Sequence, residues 1–317
     1  MHKDGPGIEI EAISKEFSGK YALKNVSLSI EAGTIHSIVG ENGAGKSTLM
    51  GILNGVLQPT EGRIHIDGKE LELGDPKKAA ALGVGMVFQH FMLVPMLSVW
   101  QNIILGVEPL KKFRRVDKKK AIEKIEAASR AYGLHINPEE KVGDLTVGQQ
   151  QKIEILKVLY KDAKYIILDE PTSVLTPQEI ETLMASMNSL KEMGKTVIFI
   201  SHKLEQVMNI SDRISVLKNG SLVGTVDARQ TTTNELVRMM VGREVHTGGE
   251  PLPVDKGRVV LTVDNISLPR SGFSCGLSDV HFDIRAGEIF GIAGVDGNGQ
   301  AELVEALLGL GRVKSGR

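Results

Sequence analysis

A chain of 317 residues with 41% hydrophobic content holds enough apolar side chain for two domains with proper cores. Its 38 basic and 39 acidic residues leave a net charge of −1, which excludes the one-sided field of a protein whose main partner is nucleic acid. No apolar run approaches the roughly 18 residues that span a bilayer, Met1-His2-Lys3-Asp4-Gly5 leads into no signal-peptide core, and the single cysteine, Cys275, points to a reducing compartment.

Plentiful glycine and scarce aromatics suit an α/β chain rich in strand-to-helix turns. Short strands are predicted over Ile8 to Ile13, Ala22 to Ile30 and Ile35 to Val39, broken at Gly19-Lys20 and Ala32-Gly33. The last runs into V-G-E-N-G-A-G-K-S-T, Val39 to Thr48, and a helix is predicted from Thr48 to Asn54. This fits G-x-x-x-x-G-K-[ST]. Among Gly40, Glu41, Asn42, Gly43, Ala44 and Gly45 the glycines let the backbone curl until successive N–H groups converge on phosphate oxygens, and the helix start adds partial positive charge. Lys46 is expected to reach the β- and γ-phosphates of a bound nucleotide, and the Ser47 hydroxyl, next to Thr48, to hold Mg²⁺.

Further along, Gly62 to Gly68 alternates as an edge hairpin strand, and Val84 to Gln89 is an apolar strand ending on glutamine. Leu97 to Leu159 is mainly helical, with Ile122, Ile125, Ala128 and Ala131 on one face. Its basic run, Lys111, Lys112, Arg114, Arg115 and Lys118 to Lys120, reads as a solvated face, with acidic lipid headgroups as the sharper alternative. Tyr165 to Leu168 is a buried strand closed by Asp169-Glu170. Downstream of a phosphate loop, Asp169 suits Mg²⁺ binding and Glu170 the polarisation of an attacking water. A helix from Pro177 to Met193, a strand from Thr196 to Ile200 ending at Ser201-His202, a helix from Leu204 to Ile210 and a hairpin across Lys218-Asn219-Gly220 complete the first domain. Strands alternating with helices predict a mostly parallel sheet with ligands at its carboxyl edge.

The stretch from Gly242 to Gly257 is rich in Gly and Pro, and residues 245–257 read as a linker between a first domain, 1–244, and a second, 258–317. After it the chain starts over: Leu28 to Gly45 recurs 254 residues later as Phe282 to Gly299. In the second copy Gln300 replaces Lys46 and Ala301 replaces Ser47, so that loop is expected to hold nucleotide weakly or without turnover. The repeat stops at Arg317, which reads as a chain truncated within its second domain.

Between the loop and the acidic strand stands Leu145-Thr146-Val147-Gly148-Gln149. With it the chain resembles the ATP-binding cassette family along essentially its whole length. The resemblance implies a P-loop NTPase fold with a RecA-like, mostly parallel core, an antiparallel β subdomain and a helical signature subdomain, followed by the start of a second cassette. It implies ATP and Mg²⁺ as cofactors. It makes Gln89 the glutamine that touches Mg²⁺ and relays nucleotide state, His202 the switch histidine at the γ-phosphate, and Phe17 the aromatic on adenine, with Tyr21 as the nearby alternative. In the family the signature L-S-G-G-Q contacts the γ-phosphate held by a partner cassette. Here Val147 replaces the first glycine, and in S-V-L-T, Ser173 to Thr176, Thr176 replaces the usual aspartate. The imperfect signature and the imperfect loop at Gln300 then fall on one composite site.

Tandem cassettes with these loops resemble ATPase subunits of bacterial importers for simple sugars and nucleosides; His90 to Pro95, Val142 to Gln151 and Leu175 to Glu179 look closer to the nucleoside branch. That implies transmembrane permease subunits as partners on the cytoplasmic face of the cell membrane, an extracytoplasmic solute-binding protein indirectly, and a second cassette or homodimer. Phe91-Met92-Leu93-Val94 is the apolar stretch expected to meet the membrane subunit. The rivals are a soluble tandem-cassette ATPase acting on the ribosome, which needs a long charged linker, and a scaffold that binds ATP without hydrolysis.

Overall fold

The computed structural model describes residues 6–111, 115–242, 257–269, 275–294, 297–311 and 313–317. Two units divide the chain, Met1–Val245 and His246–Arg317. The linker expected at 245–257 lies, except for Gly257, outside the described residues, as do Lys112 and Arg114 of the basic run.

In the first unit a long hairpin leads. β1 (Pro6–Phe17) and β2 (Lys20–Glu31) pair antiparallel, and β1 also takes β4 (Glu61–Ile66), which carries the short β5 (Lys69–Glu70), giving the order β2-β1-β4-β5. The alternation from Gly62 to Gly68 predicts an edge strand, but β4 is interior. Its Ile64 and Ile66 share the buried face of Ile8 and Ile10 on β1, and β5 covers its other side.

The second sheet has the order β10-β9-β3-β8-β7-β6. Its members are β3 (Ile35–Val39), β6 (Val84–Val87), β7 (Tyr165–Asp169), β8 (Thr196–Ile200), β9 (Arg213–Lys218) and β10 (Ser221–Asp227). All neighbours are parallel except the edge pair β9 and β10. Every residue of β3, β7 and β8 is buried, as a parallel strand with both faces covered requires. Alternation sorts their side chains into two cores. Ile166, Leu168, Val197 and Phe199 face one cluster, whereas Tyr165, Ile167, Ile198 and Ile200 face the one shared with β1, β2 and β4.

Among the described residues, α-helices flank these strands: α1 (Lys46–Leu53), α2 (Pro76–Ala81), α3 (Val99–Ile104), α4 (Lys118–Ala131), α5 (Val147–Tyr160), α6 (Pro177–Glu192), α7 (Leu204–Ile210) and α8 (Thr233–Val241). The α3, α4 and α5 helices pack on one another through Ile103, Ile104, Ala121, Ile125, Ile153 and Leu156. Three lysines of the basic run have acidic partners at an exposed surface. Lys111 pairs with Asp117 at 3.3 Å, Lys118 with Glu139 at 2.6 Å and Lys119 with Glu123 at 4.0 Å.

The second unit repeats the backbone of the first at the same 254-residue spacing. β11 (Val259–Leu268) and β12 (Leu277–Arg285) form an antiparallel hairpin, and α9 (Gln300–Leu307) corresponds to α1. Residues with left-handed φ recur in register, among them Asn25 and Asp279 (51° and 50°), Gly33 and Gly287 (75° and 77°), Gly43 and Gly297 (83° each), and Gly45 and Gly299 (101° and 100°). Residues 289–293, the counterpart of β3, form no strand; β3 lies between β8 and β9, and the second unit has no such flanking strands among the described residues.

Candidate functional site

The parallel sheet brings four chain segments together at its carboxyl edge. β3 ends at Val39 and the loop 40–45 turns directly into α1. A side chain at position 40 would place its Cβ 2.3 Å from the Leu217 carbonyl oxygen on β9, so only glycine lets the loop leave the sheet there. Gly45 caps α1 at φ 101°, pressed against the Ala22 carbonyl. The Gly220 N–H donates to the Ala44 carbonyl at 3.1 Å and thereby ties the loop to the β9–β10 turn. Residues 42–48, with Ala22, Gln89 and Glu170, line a cavity of about 400 Å³.

Inside this cavity Lys46 curls back over its own loop. Its Nζ donates to the Gly40 carbonyl at 2.8 Å and the Glu41 carbonyl at 3.0 Å. Burial pushes the Lys46 ammonium below its usual range, against the opposing pull of Glu170 and Asp169. The Ser47 hydroxyl donates to Asp169 Oδ1 at 3.4 Å. Asp169 is itself buried, and burial raises its carboxyl above the usual range, with the nearby Glu170 adding to the rise while Ser47 and Lys46 oppose it. Glu170 follows in a left-handed conformation, φ 46°, its N–H bonded to the Ile200 carbonyl at 3.0 Å. That turn aims its carboxylate across the strand ends. His202, past the end of β8, places Nδ1 at 3.3 Å from Glu170 Oε1.

The remaining expected residues are less closely gathered. Gln89 is exposed two residues beyond β6 and lines the cavity. Phe17 and Tyr21, 47% and 53% exposed at the tip of the β1–β2 hairpin, stand outside the lining, although Ala22 on the same hairpin belongs to it. Leu145 to Gln149 is absent from the lining altogether. There Thr146 caps α5 and forms a capping box with Gln149. Thr146, Gly148 and Gln149 instead line a separate cavity of about 100 Å³ shared with Glu179 of α6.

The family model described as "ABC transporter" matches residues 23–173. Among solved structures, the dimeric post-hydrolysis state of the ATP-binding cassette MJ0796, bound to ADP and Pi, superposes with a TM-score of 0.61 at 28% identity, over 71% of this chain and 100% of that one. The first unit has the fold of an ABC ATPase cassette. Two relatives extend the likeness beyond it. The guanosine import ATP-binding protein NupO of Bacillus subtilis (strain 168) is 48% identical over 98% of this chain and 60% of its own length. The nucleoside import ATP-binding protein NupA of Lactococcus lactis subsp. cremoris (strain MG1363) is 46% identical over 98% and 61%. The chain thus spans about three fifths of the length of these relatives.

Within the cassette, three polar side chains matter that sequence reading did not single out. The buried Glu154 on α5 accepts the Met92 N–H at 2.7 Å, and Lys157 one turn on donates to the Met92 carbonyl at 2.8 Å. Asn102 on α3 accepts the Val94 N–H at 2.8 Å and donates to the Val94 and Ser98 carbonyls, each at 3.1 Å. These bonds hold the loop after Gln89 from beneath while Met92, Val94 and Met96 point outward. The apolar stretch is therefore divided: Leu93 packs on the core and its neighbours stay exposed. Glu179, which the sequence offers as the end of the stretch Leu175 to Glu179, also closes T-P-Q-E, a fit to the [ST]-x-x-E capping box.

Proposed function

We propose that this chain is an ATP-binding and ATP-hydrolysing subunit of a bacterial importer. The observation that carries the reading is the convergence of Lys46, Ser47, Asp169, Glu170 and His202 on the carboxyl edge of one sheet, beside a cavity of about 400 Å³. Loop N–H groups and the start of α1 would cradle the phosphates, and Lys46 would leave its two carbonyl partners to meet them. Ser47 and Asp169, already paired through oxygen atoms, fit Mg²⁺, with Gln89 close by on the cavity wall. The metal would neutralise charge on the β- and γ-phosphates. Glu170 would orient water for in-line attack, and His202, bonded to it, would steady the carboxylate and face the γ-phosphate.

Leu145 to Gln149 lies outside this cavity, so a complete site would need the corresponding helix start of a second cassette, as in a head-to-tail pair. The second unit, with its matching left-handed positions and Gln300 in place of Lys46, reads as the opening of a second, degenerate cassette. Met92 lines a groove of about 240 Å³ with Met86, Phe88, Glu154 and Lys157, and with the exposed Val94 and Met96 further along the loop it offers a surface suited to a membrane-spanning permease. As the ATP-hydrolysing partner of such a permease the chain would work as a peripheral subunit at the cytoplasmic face; no helix among the described residues is long and apolar enough to cross a membrane. The names of the two relatives favour a nucleoside over a simple sugar as cargo.

Equilibrium binding of MgATP to the purified chain tests the site. Saturable binding that weakens when Mg²⁺ is chelated is the expected result; absence of saturable binding would overturn it. Rapid hydrolysis by a dilute monomer would refute the need for a second cassette. Uptake of labelled guanosine and ribose in cells lacking the gene tests the cargo: loss of guanosine uptake alone is expected, and loss of ribose uptake alone assigns a sugar.

A further inference from the structure

α5 and α6 begin beside one another, and a single carboxylate closes both starts. Glu179 Oε2 accepts the N–H and the hydroxyl of Thr176, each at 3.0 Å, completing the capping box of α6. Its other oxygen, Oε1, accepts the Gly148 N–H at 3.0 Å, in the first turn of α5. A Cβ at position 148 would stand 2.3 Å from that oxygen, so the glycine is what lets Glu179 reach the backbone. Hydrogen bonds, first of all from the Thr176 backbone, hold the Glu179 carboxyl below its usual range. Glu179 therefore joins the neighbourhoods of Val147 and Thr176, where this cassette lacks the first glycine of the signature and the usual aspartate.

The start of a 14-residue helix is a place where anions gather, because its first N–H groups lack partners within the helix and carry partial positive charge. In α5 that place is already taken by the chain itself. Glu179 holds the Gly148 N–H and the Thr146 hydroxyl holds that of Gln149 at 3.3 Å. Resting on the head-to-tail reading above, we propose that Glu179 is an internal anion that keeps this start of α5 from receiving the phosphates of a nucleotide carried by a second cassette. A fixed carboxylate repels a triphosphate where a vacant helix start would attract it, and Lys152 on the same helix only partly offsets the charge. The two sides of the cassette then differ: its loop at Lys46 takes nucleotide, and its α5 does not help a partner hold one.

The test uses the full chain carrying Glu170→Gln, so that hydrolysis does not disperse a pair held together by ATP. Sedimentation velocity with and without MgATP compares it with the double variant Glu170→Gln/Glu179→Gln, and binding of a fluorescent ATP analogue is measured on the same samples. Glutamine keeps the shape of the side chain and an oxygen for the Gly148 N–H; Glu179→Ala in the same background guards against a misfolded variant. All three are expected to bind nucleotide alike. The Glu170→Gln chain should sediment unchanged by MgATP, whereas loss of the Glu179 charge should tighten ATP-dependent pairing at least about tenfold. Pairing of the Glu170→Gln chain as strong as that of the double variant overturns the proposal, and so does failure of both Glu179 variants to pair while binding nucleotide. If none of them binds nucleotide, the reading of the Lys46 loop fails first and takes this proposal with it.

Discussion

Glu170 and His202 face each other at 3.3 Å across the ends of adjacent strands, and Glu170 reaches that position through a left-handed backbone, φ 46°, that a residue with a side chain adopts only when its surroundings enforce it. The bond from the Glu170 N–H to the Ile200 carbonyl supplies the enforcement. A carboxylate fixed in this way beside a phosphate loop is poised as a base. Glu170→Gln keeps the shape and should leave MgATP affinity within a few-fold of the parent while lowering turnover by about 10² or more. Phosphate release under saturating ATP, with binding measured in parallel, checks it; unchanged turnover would remove Glu170 from the chemistry. His202→Ala should likewise lower turnover more than affinity.

Lys46 carries the prediction for binding. Its ammonium bridges the Gly40 and Glu41 carbonyls from a buried position, and phosphate oxygens are stronger acceptors than either. Lys46→Met keeps the aliphatic stem and removes the charge. Loss of one charge-assisted contact, about 1.5–3 kcal/mol, should raise the dissociation constant for MgATP roughly 10- to 100-fold. Titration calorimetry reads the change directly, and an affinity equal to the parent's would show that Lys46 stays on the carbonyls when nucleotide binds.

The loop and its helix were legible because glycine spacing, a lysine and a serine encode local backbone geometry that needs no distant partner. β7 and β8 were legible for a related reason: four consecutive apolar residues bounded by polar ones leave few alternatives to a buried strand. What the sequence hid is tertiary. Nothing in Gly62 to Gly68 says that β5 will cover β4, and the six residues of α2 are too few to show a period, whereas α8 is strongly amphipathic and its period was there to be read. The bonds from Glu154 and Lys157 to a loop far away in sequence follow from helix packing and have no local sign, and only Asn102 reaches back to the loop from nearby. Phe17 has the expected spacing from the loop, and its ring stands exposed at the hairpin tip, outside the cavity lining that Ala22 joins.

Gly148 offers a test of packing that is independent of catalysis. Alanine there would bring its Cβ within 2.3 Å of Glu179 Oε1, forcing the carboxylate away and breaking its bond to the Gly148 N–H. Because the displaced group is the end of a side chain, the cost should be moderate, about 1–2 kcal/mol in denaturant unfolding. Glu179→Ala removes the obstacle, so the double variant should be destabilised by less than the sum of the two single ones, a coupling that a double-mutant cycle resolves. Additive losses would mean that the two positions do not meet.

His36 governs the last expectation, the response to acid. It is the second residue of β3, 1% exposed, with Nε2 at 2.8 Å from the Ser215 hydroxyl and a buried Nδ1 without a hydrogen-bond partner. Burial, with a smaller contribution from the neighbouring Arg213 guanidinium, lowers its pKa from 6.5 to about 4. The unfolded chain therefore takes up a proton on this ring at a higher pH than the folded one. Stability from the neutral ring is complete above pH 6.5 and is lost as pH falls towards 4, by roughly 3 kcal/mol. Carboxylates also titrate near the lower end of this window, so the reading is the difference between the parent and His36→Gln, which cannot titrate. Urea unfolding at intervals from pH 7 to 4 should show the parent losing stability more steeply, chiefly between pH 6.5 and 4. Parallel pH profiles would show that the ring is as easily protonated inside the fold as outside it.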